Sequence, residues 1–306
     1  LKMLDGSRIW AIFAAIILSV SMYAYHPQRL FVPLFLLICL TLNTRKLKKN
    51  IIFFIIPFFI LMMPILILSF FGEANTRAGM VFLSQDIEYT RYVILDHLQR
   101  QQWTFFSNEN FLLLFFWIKR YLNYFQPDFL FFNGLNMTTT GTLGLGVLYL
   151  FEAPLLLLGL ISLVRNKIAR KEIIIIWILA GLIPASLANN EQSAVRSLLI
   201  LPAILTIISL GVIRLIHLIS KITNQFLKIG TISAVFLIVL ITFIQAFLVF
   251  SIHFPNQRGE AFMEGTKEAV LYALENKNKF SEIVFDPYRG IEAPYIVNIP
   301  HMFWLL

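Results

Sequence analysis

The sequence predicts an all-α, polytopic membrane protein that ends in the start of a small extracytoplasmic α/β domain. Hydrophobic residues make up 58% of the chain and charged residues 14%, with a mean hydropathy of +0.76. A soluble domain carries roughly 25% charged residues, so this chain has too little polar surface to meet water on every side. Apolar runs recur along most of its length, and a bilayer core about 30 Å thick calls for about 20 such residues per helix.

Seven spans are expected, near 9–25, 30–42, 51–71, 143–164, 172–187, 197–219 and 229–253. The second is short and holds Pro33. Lys and Arg in short loops set the orientation. Arg45, Lys46, Lys48 and Lys49 fall in one loop, Arg165, Lys167, Arg170 and Lys171 in another, and Arg214, Lys221 and Lys228 around a third. With seven spans these three connections share one side, which is read as cytoplasmic. The opposite short loops carry one arginine each, Arg29 and Arg196. The net charge of +8 follows from this asymmetry and calls for no nucleic-acid partner. The expected location is the cytoplasmic (inner) membrane, crossed several times.

Two longer segments are expected outside, 72–141 and 254–306. In the first, the stretch around Tyr89–Gln101 has helical apolar spacing. Asn110–Tyr124 is apolar but carries Lys119 and Arg120, which suits a helix lying in the interface rather than an eighth span. The second is read as the start of an α/β domain following a membrane domain at 1–253. It has helical spacing over 259–277 and strand-like runs at 282–285 and 295–297. The chain begins at Leu1 and ends in Phe303-Trp304-Leu305-Leu306, which predicts a portion of a longer protein. The single cysteine, Cys39, allows no internal disulfide.

Three polar groupings stand out. Tyr23–Arg29 joins two spans, and its Arg29 guanidinium, Tyr25 hydroxyl and His26 imidazole suit a phosphate. An aromatic belt with a snorkelling arginine is an equal reading. Asn189–Arg196 is a second outer turn. Arg196, together with Arg29, points to a shared anionic ligand, and lipid headgroups are the alternative. Glu152, with Glu191 as a second acidic candidate, is expected to face a cavity or, more simply, to form a structural ion pair about two turns inside the fourth span. A Gly-rich phosphate loop, Cys/His metal spacing and a nucleophile elbow are absent from the sequence. Lone histidines such as His97 and His217 read as structural, and Asn136-Met137-Thr138 is a weak glycosylation sequon.

Several segments in order resemble a known family. Tyr23–Arg29 followed by Leu30-Phe31-Val32-Pro33-Leu34 is similar to a YxYxxxRxxxPL pattern. Tyr124-Phe125-Gln126-Pro127-Asp128-Phe129-Leu130-Phe131-Phe132-Asn133-Gly134 resembles an outer SPDFLFxxG stretch. Gly144–Pro154, Arg196-Ser197-Leu198-Leu199-Ile200-Leu201-Pro202 and Lys267–Leu274 are similar to the elements that follow. The family is that of bacterial polytopic membrane glycosyltransferases of the GT-C fold, the dolichyl-phosphate-mannose mannosyltransferase and aminoarabinose-transferase-like family 39 group. The resemblance implies transfer of a sugar from a polyprenyl-phosphate carrier to a glycan, lipid or protein acceptor outside the cytoplasmic membrane. It implies a lipid-phosphate site at Tyr25, His26, Arg29 and Arg196. It also places the catalytic carboxylate upstream of Leu1, so no catalytic base is assigned to this sequence. No cofactor is expected from the residues. A divalent metal is compatible with the chemistry but finds no ligand set among them. A lipid-linked glycan polymerase or ligase would use the same outer phosphate chemistry. A non-enzymatic lipid or sugar transporter would instead call for internal repeats and mid-membrane charges.

Overall fold

The structure is a computed structural model that describes residues 7–42, 51–71, 82–99, 109–134, 145–166, 168, 170–189, 192–258, 265–279, 282 and 284. Among these the fold is mainly helical and contains no strand; Phe82 and Ala188 form an isolated antiparallel bridge. The principal helices are α1 (Arg8–Ala24), α2 (Gln28–Leu42), α3 (Ile52–Phe71), α4 (Ile87–Gln99), α5 (Glu109–Asn123), α6 (Glu152–Arg165), α7 (Lys171–Gly181), α8 (Leu201–Ser220), α9 (Gln225–Leu248) and α10 (Thr266–Glu275).

The apolar runs fall on helices, but seven full spans are not what forms. Among the described residues, two helical stretches are long and apolar enough to cross a membrane, Ala194–Ser220 and Gln225–Asn256. Arg8–Ala24, Gln28–Cys39 and Ile52–Leu68 are apolar but shorter. The fourth expected span begins only at Glu152, because residues 145–151 are non-helical and lie along the turn at 128–132. Leu148 N–H donates to the Leu130 carbonyl at 2.8 Å, and Gly146 meets the Leu130 and Phe131 backbone where a Cβ would not fit. The fifth span stops at Gly181, and a separate turn, Ile183–Ser186, contains Pro184. Proline lacks the N–H that would continue the ladder and disfavours helical geometry in the residue before it.

The helix expected over 259–277 starts at Thr266, after Gly265 in the left-handed region (φ +78°); 259–264 lie outside the described residues. Of the two expected strands, Glu282 and Val284 are described and neither is in a strand. The remaining strand positions lie outside the described residues.

Small side chains set the tightest helix pairs. On α1, Ala11, Ala15, Ser19 and Met22 recur at spacings of three and four and are buried against Phe54, Phe58 and Ile65 of α3. Ser19 Oγ donates to the Phe58 carbonyl at 3.3 Å. Between α6 and α8 the backbones themselves touch. A Cβ placed on Gly211 would stand 2.7 Å from the Leu155 carbonyl carbon, and one on Gly159 would stand 2.7 Å from that of Ile207. Glycine is used at such crossings because it lets two backbones approach. A second core of Tyr124, Phe129, Leu148, Leu182, Ala185, Ile200, Ile204 and Ile208 joins α8 to the end of α5 and to the broken end of α7. Helix α9, capped by the Asn224 carboxamide on Phe226 and Leu227 N–H, has no buried residue.

Gly211→Ala is expected to lower the melting temperature of the detergent-solubilised protein by forcing α6 and α8 apart, an overpacking cost of about 1–3 kcal/mol. Gly230→Ala, on α9 with nothing within 4 Å of its Cβ position, is expected to leave it unchanged or raise it. Equal melting temperatures for the two variants would rule out the close crossing.

Candidate functional site

The break between α7 and α8 creates the site. Between α7 and the Ala194–Ser220 helical stretch, the described residues 182–189 and 192–193 hold only the short turn Ile183–Ser186, and the ends of these pieces expose backbone groups that need partners inside an apolar body. One face of α5 supplies many of them, from residues at i, i+3, i+4 and i+7. Trp117 Nε1 donates to Ser186 Oγ at 3.0 Å, and that hydroxyl donates onward to the Ile183 carbonyl. Arg120 Nη1 donates to the Ala188 carbonyl at 2.9 Å and Tyr121 Oη to the Leu179 carbonyl at 2.9 Å. Tyr124 Oη donates to the Ala185 carbonyl at 3.3 Å and accepts from Ser193 N–H at 3.1 Å. Ser193 in turn caps the short helical turn Ala194–Ser197, its Oγ accepting from Arg196 N–H.

The turn after α1 reaches the same place. Tyr25 Oη donates to the Val195 carbonyl at 3.1 Å, a contact across 170 residues of sequence. It lies within electrostatic reach of the Arg196 guanidinium. Burial raises the Tyr25 pKa, and the Arg196 charge opposes the shift. Burial also raises the Tyr124 pKa, against the Ser193 hydrogen bond and the charges of Arg196 and Arg120. Both phenols therefore remain protonated donors at neutral pH. Two buried donor atoms beside them have no partner among the described residues, Arg196 Nη1 and Gln192 Nε2. A buried cationic nitrogen without an acceptor carries a desolvation cost, which an incoming anion would relieve.

The structure thus brings Tyr25 and Arg196 together. Arg29, partly buried, turns back so that Nε donates to the Met22 carbonyl at 3.3 Å, closing the end of α1. His26 is exposed on the turn, and its carbonyl accepts Arg29 N–H at 3.0 Å. Glu152 is the first residue of α6, not two turns inside a span, and its carboxylate accepts Tyr149 N–H at 2.9 Å. An acid at a helix start is stabilised by the exposed N–H groups and the helix dipole, and its bond among the described residues is to backbone. Glu191 lies outside the described residues.

Sequence reasoning missed the polar groups that build the site. Asp86 and Arg120 form a buried ion pair. Asp86 also accepts Tyr89 N–H at 3.0 Å, capping α4. An aspartate just ahead of a helical stretch is a legible cap signal, but its partner 34 residues away is not. A cavity of about 270 Å³ lies between α5 and the broken segment, lined by residues that include Glu88, Lys119, Arg120, Asn123, Tyr124 and Gln192. Among the described residues no group of three or more His, Cys, Asp or Glu could hold a metal ion. The arrangement is suited to binding an anionic group at Arg196, whose Nη1 is free to donate, while the phenol hydrogens of Tyr25 and Tyr124 go to the Val195 and Ala185 carbonyls. No family model, curated protein or solved structure matches the chain.

Tyr124→Phe is expected to lower stability at neutral pH by about 1–3 kcal/mol, the cost of leaving buried backbone groups unpaired. Because the folded pKa is raised, the stability from the protonated phenol is complete below the unfolded tyrosine value of about 10. It is lost as pH rises through the higher folded value. Thermal melts across alkaline pH are therefore expected to fall more steeply for the parent protein than for Tyr124→Phe.

Proposed function

We propose that the chain belongs to a polytopic membrane glycosyltransferase that moves a sugar from a polyprenyl-phosphate carrier to an acceptor at the outer face of the cytoplasmic membrane. The observation that carries this reading is the half-buried Arg196, whose Nη1 is buried with no partner among the described residues, held beside the turn that carries Tyr25. It is supported by the order of the family-like segments along the sequence.

The membrane part of the reading is supported by exposed apolar surface. On α9 no residue is buried, and Phe226 (89%) and Phe236 (68%) are among the large apolar side chains left open. Such a surface is incompatible with water and matches hydrocarbon. Helix α5 keeps Leu112 and Phe116 inward and leaves Leu114, Phe115, Ile118 and Leu122 exposed, a pattern suited to an interface helix.

In this scheme the lipid phosphate sits against Arg196 near the turn that carries Tyr25, His26 and Arg29. As the bond between sugar and carrier phosphate breaks, negative charge grows on the departing phosphate. A fixed guanidinium stabilises that charge more than it stabilises the bound substrate. The acceptor hydroxyl loses its proton to a carboxylate base, a role assigned to no residue of this sequence.

In the full-length protein in membranes, Arg196→Ala is expected to reduce transfer from a polyprenyl-phosphate sugar by about 10²–10³-fold, the scale for one lost charge-stabilising donor, with Arg196→Lys recovering part of it. Transfer at the parent rate in both variants would remove the phosphate role.

A further inference from the structure

We propose that the cavity between α5 and the broken segment is a saccharide subsite that seats one neutral sugar unit beside the lipid-phosphate position. Its occupant class rests on the glycosyl-transfer reading; its binding chemistry is argued from the residues themselves. At about 270 Å³ it falls just below the ~300–1,000 Å³ of pockets for drug-sized ligands, which leaves room for one small polar ring.

The charges lining the cavity are already matched. Lys119 Nζ lies 2.9 Å from Glu88 Oε1, and Arg120 is paired with Asp86. An anion entering here would have to compete with those carboxylates, and Glu88 would repel it. What remains is hydrogen-bonding capacity suited to hydroxyl groups. Gln192 Nε2 is a buried donor with no partner among the described residues. Asn123 uses its carbonyl oxygen to accept from Gln126 at 3.0 Å, which leaves its amide hydrogens as donors. Glu88 supplies a carboxylate acceptor at the rim. A sugar hydroxyl donates and accepts at once, so amide donors facing a carboxylate can engage neighbouring hydroxyls of one ring. Phe116 adds an apolar wall on which the C–H face of a sugar can rest.

The location couples this seat to Arg196. Tyr124 lines the cavity, accepts the Ser193 N–H and feels the charges of both Arg120 and Arg196. Ser193 caps the turn that carries Arg196. One tyrosine thus forms the partition between the sugar seat and the anion position.

The test is saturation-transfer NMR on the full detergent-solubilised chain, with methyl glycosides of glucose, galactose, mannose and arabinose as probes. At least one glycoside is expected to receive saturation, with affinity falling about tenfold or more in Gln192→Leu, a change that removes the unpartnered donor while keeping its bulk. If Gln192→Leu does not fold, Asn123→Ala carries the same expectation. Absence of binding by all four probes, or parent-like binding in the folded variant, would overturn the proposal. Displacement of the glycoside by inorganic phosphate would overturn it too, by making the cavity an anion site. Polyprenyl-phosphate binding is expected to survive Gln192→Leu and to be lost in Arg196→Ala. Loss of the phosphate role alone would leave the glycoside result standing, so the two readings fail separately.

Discussion

Arg120 joins three parts of the molecule with one guanidinium. It pairs with Asp86, which caps α4, and it donates to the Ala188 carbonyl in the segment where α7 has broken. Neither charge is tolerable alone in a buried setting, because desolvating one ion costs several kcal/mol that only a partner offsets. The pair therefore holds α4, α5 and the broken segment in one register. Once α5 is placed, Trp117, Tyr121 and Tyr124 on the same face reach Ser186, Leu179 and Ala185. Each satisfies a polar group that the interrupted helix left open or anchors the segment beside it.

Non-helical backbone inside an apolar body is tolerated where protein groups satisfy it or where it lines a cavity. Here both conditions hold side by side. Side chains from α5 and from the turn at Tyr25 take up carbonyls at Ala185, Ala188 and Val195, while Gln192 Nε2 and Arg196 Nη1 are buried donors with no partner among the described residues. The functional reading grows from that remainder. A scaffold that answers so many backbone groups around Arg196 preorganises its guanidinium, and preorganisation of that kind is what makes a charge effective in a reaction.

The rest of the architecture supports the break without taking part in it. Gly159 and Gly211 bring α6 and α8 into backbone contact, so the helix leading out of the segment is anchored as well as the one leading in. The Trp177 indole donates to the Leu199 carbonyl at 2.7 Å, tying α7 to the first turn after Arg196. Helix α9 packs only lightly against this body and buries none of its residues.

Local composition was enough to place the helices, because an apolar run must hide its backbone polarity in a helix whatever its neighbours are. The same runs overstated the spans. Pro184 and the pairing of 145–148 with 128–132 interrupt helix where hydropathy continues unbroken. The two turns with Tyr25 and Arg196 were legible as polar interruptions, but Arg29 and Glu152 were not legible as helix-end groups, since the atoms that engage them are backbone atoms shared by every residue type. Asp86, Arg120, Tyr124 and Gln192 stayed hidden for a different reason. Their meaning comes from partners 34 to 69 residues away or, for Gln192 Nε2, from burial with no partner among the described residues, and the packing of the folded chain sets both. Hydrophobic pattern is a property of neighbours along the chain and can be read from residues alone; the satisfaction of a buried polar atom is a property of neighbours in space.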